Sequence, residues 1–133
     1  MLGFGITAIG FFNQTLFQNT KEIELYHTLL ANGQLPTSKG FILSQEDRLR
    51  RWVIQSLMCY FEVDKRQFLK IFDSDFDLHF ADERNDLDLF VKEGFIENGT
   101  QTLYATPLGR LFIRLIASVF DAYLEKGRYS RVV

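Results

Sequence analysis

Arginine side chains give this sequence its clearest possibility of chemistry. Arg110 and Arg114 lie four positions apart in the apolar stretch 106 to 121, so that in a helix they share a face one turn apart. There they can act together on one anion, because a guanidinium binds a carboxylate through two parallel hydrogen bonds. Arg50 and Arg51 fall in the first turns of another predicted helix, where the helix dipole does not favour cations. Their placement suggests a partner outside that helix.

Internal ion pairs are the alternative explanation for these arginines. Nearby acids such as Glu46 and Asp47 could pair with Arg50 and Arg51. A longer acidic run follows, consisting of Asp73, Asp75, Asp77, Asp82, Glu83, Asp86 and Asp88. This run lacks the glycine and terminal glutamate that a calcium-binding loop needs in register, so we interpret it as a solvated face or as the partner of the arginines. The residues alone leave anion binding and internal pairing open.

Other kinds of site find little support in the sequence. Its one cysteine, Cys59, cannot form an internal disulfide, and His27 and His79 are far apart, so no metal-ligand spacing exists. There is neither a phosphate-binding glycine loop nor a nucleophile elbow. The net charge of -2 makes nucleic acid a poor default partner. The apolar opening lacks a basic region and is too short for a membrane span, and the composition suits the cytoplasm.

The patterns predict an α+β fold that is mostly α. A buried strand within residues 3 to 12, leading into a tight turn, should precede a helix within 19 to 31. The segment "GQLPTSKG" then has the composition of a linker, which we assign to residues 33 to 39. Because the chain opens on an apolar, uncapped stretch, we expect it to be part of a larger fold.

Helices and a small hairpin should form the remainder. Ser44 with Asp47 resembles a capping box before a helix, and further helices are predicted over 64 to 72 and 80 to 92. Two short strands flank a turn at Asn98-Gly99, which suggests a winged-helix-like unit. Thr106 should cap a long terminal helix. We expect its apolar face to be core: Leu108, Leu111, Phe112, Leu115, Ile116, Val119, Phe120 and Tyr123.

Five stretches, in this order, carry a resemblance to a known family. They are "GFGITAI" (3 to 9), "QNTKEIELYHTLLANGQLPTSKGFILSQEDRLRRWVIQSLMC" (18 to 59), "EGFI" (93 to 96), "TPLGRLFIR" (106 to 114) with "FDAYL" (120 to 124), and "YSRVV" (129 to 133). Together they resemble the C-terminal part of the oxygen-independent coproporphyrinogen III oxidases, which are radical S-adenosylmethionine enzymes of haem biosynthesis. The resemblance covers nearly the whole chain.

The resemblance implies a division of labour between this chain and a missing N-terminal barrel. In that family a partial (β/α) barrel holds a four-iron four-sulfur cluster through a C-x3-C-x2-C motif and binds two S-adenosylmethionine molecules, and a helical domain covers its open side. Residues 1 to 32 would be the last strand and helix of the truncated barrel, and 40 to 133 the covering domain. With one cysteine the chain cannot carry the cluster, so it should hold no cofactor and be inactive alone.

The resemblance also suggests individual site residues. The parent reaction oxidatively decarboxylates two propionates of coproporphyrinogen III to give protoporphyrinogen IX. That substrate carries four propionates, so the resemblance implies that some of the arginines bind its carboxylates. The candidates are Arg50, Arg51, Arg110, Arg114 and Arg131. Ile9 matches a family contact to the second S-adenosylmethionine. The following "GFFNQTLF" departs from the family, which usually has small residues, a Gly-Asp pair and a Tyr there.

Two alternatives belong to other classes of function. The chain could be a free-standing winged-helix module that binds DNA or a protein, although its acidic balance disfavours DNA. It could also be the tail of a related haem carrier, which shares the barrel but ends in a shorter and different tail. The "YSRVV" ending and the "QEDRLRRWVIQSLMC" helix favour the oxidase.

Overall fold

A computed structural model describes residues 1 to 124 of the chain. The strands are β1 (Ile9–Phe12), β2 (Thr15–Asn19), β3 (Thr37–Ile42), β4 (Glu62–Asp64), β5 (Ile96–Asn98) and β6 (Thr102–Ala105). The α-helices are α1 (Ile23–Ala31), α2 (Gln45–Tyr60), α3 (Lys65–Phe72), α4 (Phe76–His79), α5 (Arg84–Lys92) and α6 (Ile113–Ser118), and a 3₁₀ turn (Gly109–Phe112) precedes α6. The fold is therefore α+β, with two small antiparallel sheets in the described part. The winged-helix-like description stays a prediction.

The chain divides into two compact units, residues 1 to 48 and 49 to 133, and the division falls inside α2. Unit 1 contains an antiparallel sheet in the order β1-β2-β3. A two-residue turn joins β1 to β2, and its members Asn13 and Gln14 both have positive φ angles, 44° and 63°. Two successive positive φ values match the right-handed twist of a hairpin.

Unit 1 differs from the sequence prediction in two respects. The predicted buried strand over 3 to 12 is a strand only from Ile9, and of its four residues Gly10 alone is buried. A side chain at Gly10 would overlap the ring of Phe17, its partner on β2, so the ring occupies the face that a buried side chain would need. The predicted linker also differs, because its residues 37 to 39 pair with β2 as part of β3.

The helix α2 begins as the sequence predicts. The Ser44 hydroxyl donates to the Asp47 carboxylate at 2.7 Å and accepts from the Asp47 N–H at 3.1 Å, while the Ser44 N–H donates to the same carboxylate at 2.9 Å. This reciprocal pattern satisfies two N–H groups that the first turn of a helix leaves open. Downstream, Leu49, Val53 and Leu57 are buried, whereas Tyr60 at the end of the helix is exposed.

Aromatic rings dominate the core of unit 2. Phe68, Phe76, Phe80 and Phe120 are almost completely buried. Phe80 lies centrally, with its ring centroid 4.9 Å from that of Phe76 and 4.8 Å from that of Phe120, in tilted and edge-on arrangements that aromatic pairs prefer. The predicted helix over 80 to 92 begins later than expected, as α5 at Arg84, and a separate short helix, α4, precedes it, so that Phe80 lies between the two.

The second sheet has the order β4-β6-β5, so the predicted hairpin gains a third strand. The sequence analysis missed β4, which consists of three residues directly after α2. Asp64 ends β4 and caps α3, accepting hydrogen bonds from the N–H groups of Gln67 and Arg66. The pKa of Asp64 is lowered first by the hydrogen bond from Gln67, and then by the hydrogen bonds and the positive charge of Arg66.

The predicted long terminal helix is wrong as a single helix. Its first turn is the 3₁₀ turn, in which residues are spaced by about 120° around the axis rather than the 100° of an α-helix. The expected apolar face therefore does not stay in the core. Ile116 and Phe120 are buried, whereas Leu111 is 79% exposed and Tyr123 72% exposed.

Candidate functional site

Arg50 is held inside unit 2 by three partners. Its guanidinium donates to the Glu83 carboxylate at 2.8 Å and to the Phe120 carbonyl at 3.3 Å, and it lies over the ring of Phe80 with its central carbon 5.3 Å from the centroid. Its side chain is 17% exposed and that of Glu83 11%. Glu83 belongs to the acidic run, and Phe120 follows the end of α6. Arg50 therefore links α2 to two other parts of the core, as the internal-pairing alternative expects.

Arg51 follows on the same helix and is half-buried. It also has an interaction partner. Neither Arg50 nor Arg51 is thus simply presented to solvent.

Arg110 and Arg114 lie in a different environment. Arg110 is in the 3₁₀ turn and Arg114 in α6, and both are exposed. Within residues 1 to 124 neither forms an ion pair with a carboxylate. The guanidinium carbon of Arg110 lies 4.9 Å from the centroid of the Phe61 ring. Arg110 and Arg114 are therefore suited to bind an anion from outside the described part of the chain.

Phe61, which the sequence analysis did not single out, has an unusual backbone. Its φ angle is 63°, in the left-handed region that bulky residues rarely occupy. Its N–H donates to the Leu57 carbonyl at 3.0 Å, and its own carbonyl accepts from Ala105 at 2.8 Å. These bonds fix the residue between α2 and β6. No sequence signal could have identified it, because a left-handed residue at the end of a helix is usually Gly or Asn.

The other two predicted site residues are in or beyond unit 1. Ile9, the proposed cofactor contact, lies on β1 opposite Gln18 and is 56% exposed. An approaching group can therefore reach it. Arg131 lies outside the described residues.

An acidic row crosses the exposed face of the β4-β6-β5 sheet. Glu62 on β4 and Glu97 on β5 both pair with Tyr104 on β6, and all three are exposed. The hydrogen bond between Tyr104 and Glu97 raises the pKa of the Tyr104 hydroxyl. In a DNA-binding winged helix a surface of this kind would need positive charge to attract phosphates. Its two carboxylates disfavour that alternative.

The described part of the chain offers neither a cluster of metal ligands nor a membrane-spanning helix. Residues 1 to 124 contain no group of three or more His, Cys, Asp or Glu side chains arranged to hold a metal ion, and Cys59 is exposed. None of the helices in this range is both long and apolar enough to cross a membrane.

Comparisons with known proteins give a consistent result. The family model described as the HemN C-terminal domain matches residues 43 to 112. The chain is 40% identical over 129 residues to an oxygen-independent coproporphyrinogen III oxidase of Synechocystis, covering 94% of this chain and 28% of that protein. With the protein of the same name from Pseudomonas aeruginosa it shares 37% identity over 136 residues, covering all of this chain and 30% of the relative.

A solved structure shows the same similarity in three dimensions. The structure described as coproporphyrinogen III oxidase (HemN) from Escherichia coli, a radical SAM enzyme, matches with a TM-score of 0.85 and 32% identity. The match covers 92% of this chain and 28% of that one. The chain thus spans about a third or less of the length of these relatives.

Proposed function

Because this chain belongs to the HemN C-terminal domain family, we propose that it is the C-terminal part of an oxygen-independent coproporphyrinogen III oxidase. The family resemblance identified from the sequence is thereby confirmed. The whole enzyme would oxidatively decarboxylate two propionates of coproporphyrinogen III to give protoporphyrinogen IX in the cytoplasm. In it, residues 40 to 133 would be the domain that covers the barrel, and residues 1 to 32 the last piece of the barrel.

The structural match to the Escherichia coli enzyme is the observation that carries this proposal. A TM-score of 0.85 over 92% of this chain, against 28% of that one, is what a C-terminal portion of the same enzyme would give. Sequence identities of 37% and 40% to enzymes of the same name support it independently.

The iron–sulfur cluster of such an enzyme has to be bound outside this chain. A four-iron four-sulfur cluster needs several cysteine thiolates, and this sequence contains one cysteine. The residues present do not fit the cluster, so the missing barrel must hold it. Of the two S-adenosylmethionine molecules, we propose that one meets this chain at Ile9, whose exposed position on β1 leaves it accessible.

The arginines divide into two groups in this proposal. Arg110 and Arg114 are exposed and lack an ion-pair partner in the described part of the chain, so we assign them to the propionate carboxylates of the substrate. Arg50 and Arg51 are engaged within the chain, which favours a structural contribution to the same domain. Arg131 remains a candidate for substrate binding.

A chimeric enzyme tests the proposed function. The C-terminal segment of the Synechocystis relative would be replaced by this chain, which aligns with it over 129 residues. Conversion of coproporphyrinogen III would then be measured without oxygen, in the presence of S-adenosylmethionine. We expect activity in the chimera and none in this chain alone.

The matched control is the relative with its C-terminal segment deleted and not replaced. If the chimera were no more active than this deletion while remaining folded and loaded with its cluster, the proposal would be wrong. Circular dichroism and the visible absorption of the cluster measure those two conditions.

A further inference from the structure

Phe61 and Arg110 form a cation–π pair whose purpose the fold alone does not explain. Phe61 takes the first position after α2 in a left-handed conformation with a φ of 63°, where glycine would be free of strain. The residue at this position carries a large ring instead. Strained positions of this kind persist where the surrounding structure holds them, and they concentrate at functional sites.

Hydrogen bonds on both sides of Phe61 fix its backbone. Its N–H closes α2 on the Leu57 carbonyl, and its carbonyl accepts from Ala105 on β6. Arg110 is anchored separately, because its N–H donates to the Thr106 carbonyl at 2.9 Å. The ring and the guanidinium thus belong to two well-fixed backbones. The guanidinium carbon lies 4.9 Å from the ring centroid.

A cation–π contact leaves the guanidinium without an oxygen acceptor. The π face of the ring takes the place of none of the carboxylates that its five N–H donors can bind. Arg110 is exposed and pairs with no carboxylate among residues 1 to 124. A guanidinium that is already ordered loses less side-chain entropy when it binds.

From these contacts we infer that Phe61 is a positioning residue for Arg110: its ring holds the guanidinium so that the N–H edge can bind a propionate carboxylate of the substrate. This inference rests on the proposed function. Phe61 itself touches no substrate and acts through Arg110.

Steady-state kinetics of the full-length enzyme containing this chain test the inference. Phe61→Leu removes the ring but keeps an apolar side chain, and we expect it to raise KM for coproporphyrinogen III about fourfold, with kcat within about twofold. That factor corresponds to the loss of an exposed cation–π contact. Phe61→Tyr retains the ring and should restore KM towards the original value. Arg110→Ala should raise KM about tenfold or more.

A double variant separates positioning from general damage to the fold. If Phe61 acts through Arg110, adding Phe61→Leu to Arg110→Ala should not raise KM further. Phe72→Leu is the matched control. Phe72 is also partly buried against the core, but its ring contacts the rings of Trp52 and Phe68 rather than an arginine. It should lower the melting temperature without changing KM.

Each possible failure has its own meaning. An unchanged KM in Phe61→Leu, together with a raised KM in Arg110→Ala, would overturn the inference and leave the proposed function intact. Additive effects in the double variant would do the same. An unchanged KM in Arg110→Ala would also overturn the inference, because Arg110 would then not bind the substrate. A full-length enzyme that does not convert coproporphyrinogen III would overturn both proposals.

Discussion

The arginines of this chain show how strongly the surroundings of one residue type decide its role. Arg50 uses its donors on Glu83 and the Phe120 carbonyl, both in the interior of unit 2. Arg110 has its guanidinium over an aromatic ring and is itself exposed to solvent. The sequence could place these residues on helices, but it could not choose between pairing and anion binding, because Glu83 is distant from Arg50 along the chain.

Removal of Arg50 should destabilise the fold. We expect Arg50→Ala to lower the free energy of unfolding by about 2–3 kcal/mol, because it leaves the buried Glu83 carboxylate and the Phe120 carbonyl without their donor. Urea denaturation followed by circular dichroism measures this. The double variant with Glu83→Gln should lose less stability than the two single changes added together.

Arg66→Ala is the matched control for that measurement. Arg66 is 70% exposed, and its ion pair with Asp64 is long, at 3.7 Å. Exposed pairs of this kind contribute little, so the change should stay within about 0.5 kcal/mol. Equal losses from Arg50→Ala and Arg66→Ala would contradict the role assigned to Arg50.

At the scale of elements, local signals predicted what local interactions determine. The capping box at Ser44 and Asp47 correctly predicted the start of α2, since every atom in it lies within four residues. The strand β4 was missed because its three residues become a strand only by pairing with β6, some forty positions later. A tight turn after residue 12 was predicted, but the partner strand β2 was missed, because Asn13-Gln14 lacks the glycine that usually marks a two-residue hairpin.

The 3₁₀ turn before α6 has a cause that the apolar pattern could not reveal. Gly109 is buried directly against the backbone of Phe95, so closely that a Cβ would overlap the Phe95 carbonyl. Thr106 ties the same segments together, because its N–H donates to the Phe95 carbonyl at 3.0 Å and its hydroxyl to the Gly94 carbonyl at 2.7 Å. The close approach of Phe95, which directly precedes β5, thus fixes where the 3₁₀ turn begins.

Gly109→Ala should therefore be strongly destabilising. The added methyl group cannot be accommodated without moving Phe95, and overpacking of this kind costs about 1–3 kcal/mol or more. Thermal unfolding would show a lower melting temperature. Gly40→Ala is the control, because the nearest atom to its Cβ position is 3.9 Å away. If both variants melted together with the unchanged protein, the close approach of Gly109 to Phe95 would be refuted.

At the scale of the whole molecule, unit 1 leaves an unusual amount of apolar surface uncovered. Its helix α1 buries no side chain, and all six residues of β3 are exposed. The large apolar side chains of this unit that are more than half exposed are Met1, Leu2, Phe4, Ile9, Phe12, Ile23, Leu35 and Ile42. Apolar exposure of this extent is typical of an interface rather than of an independent domain. The proposed barrel would supply the missing cover.

The isolated chain should consequently self-associate. Burial of apolar side chains is favourable whichever molecule provides the cover, so a second copy can replace the barrel. We expect the apparent mass in size-exclusion chromatography with light scattering to rise with protein concentration. Phe4 and Leu35 are 90% and 83% exposed, so changing both to serine should lower the association while leaving the melting temperature unchanged.

Leu78→Ser is the matched control for this double variant, because Leu78 is equally accessible, at 79%, but belongs to unit 2. It should leave the association intact. If it dispersed the chain as effectively as the double variant, unit 2 would carry the interface. A constant monomer mass at every concentration would mean that the exposed surface of unit 1 does not require a cover. In the active chimera, where the barrel is present, the association should disappear, because the same side chains are then buried within one molecule.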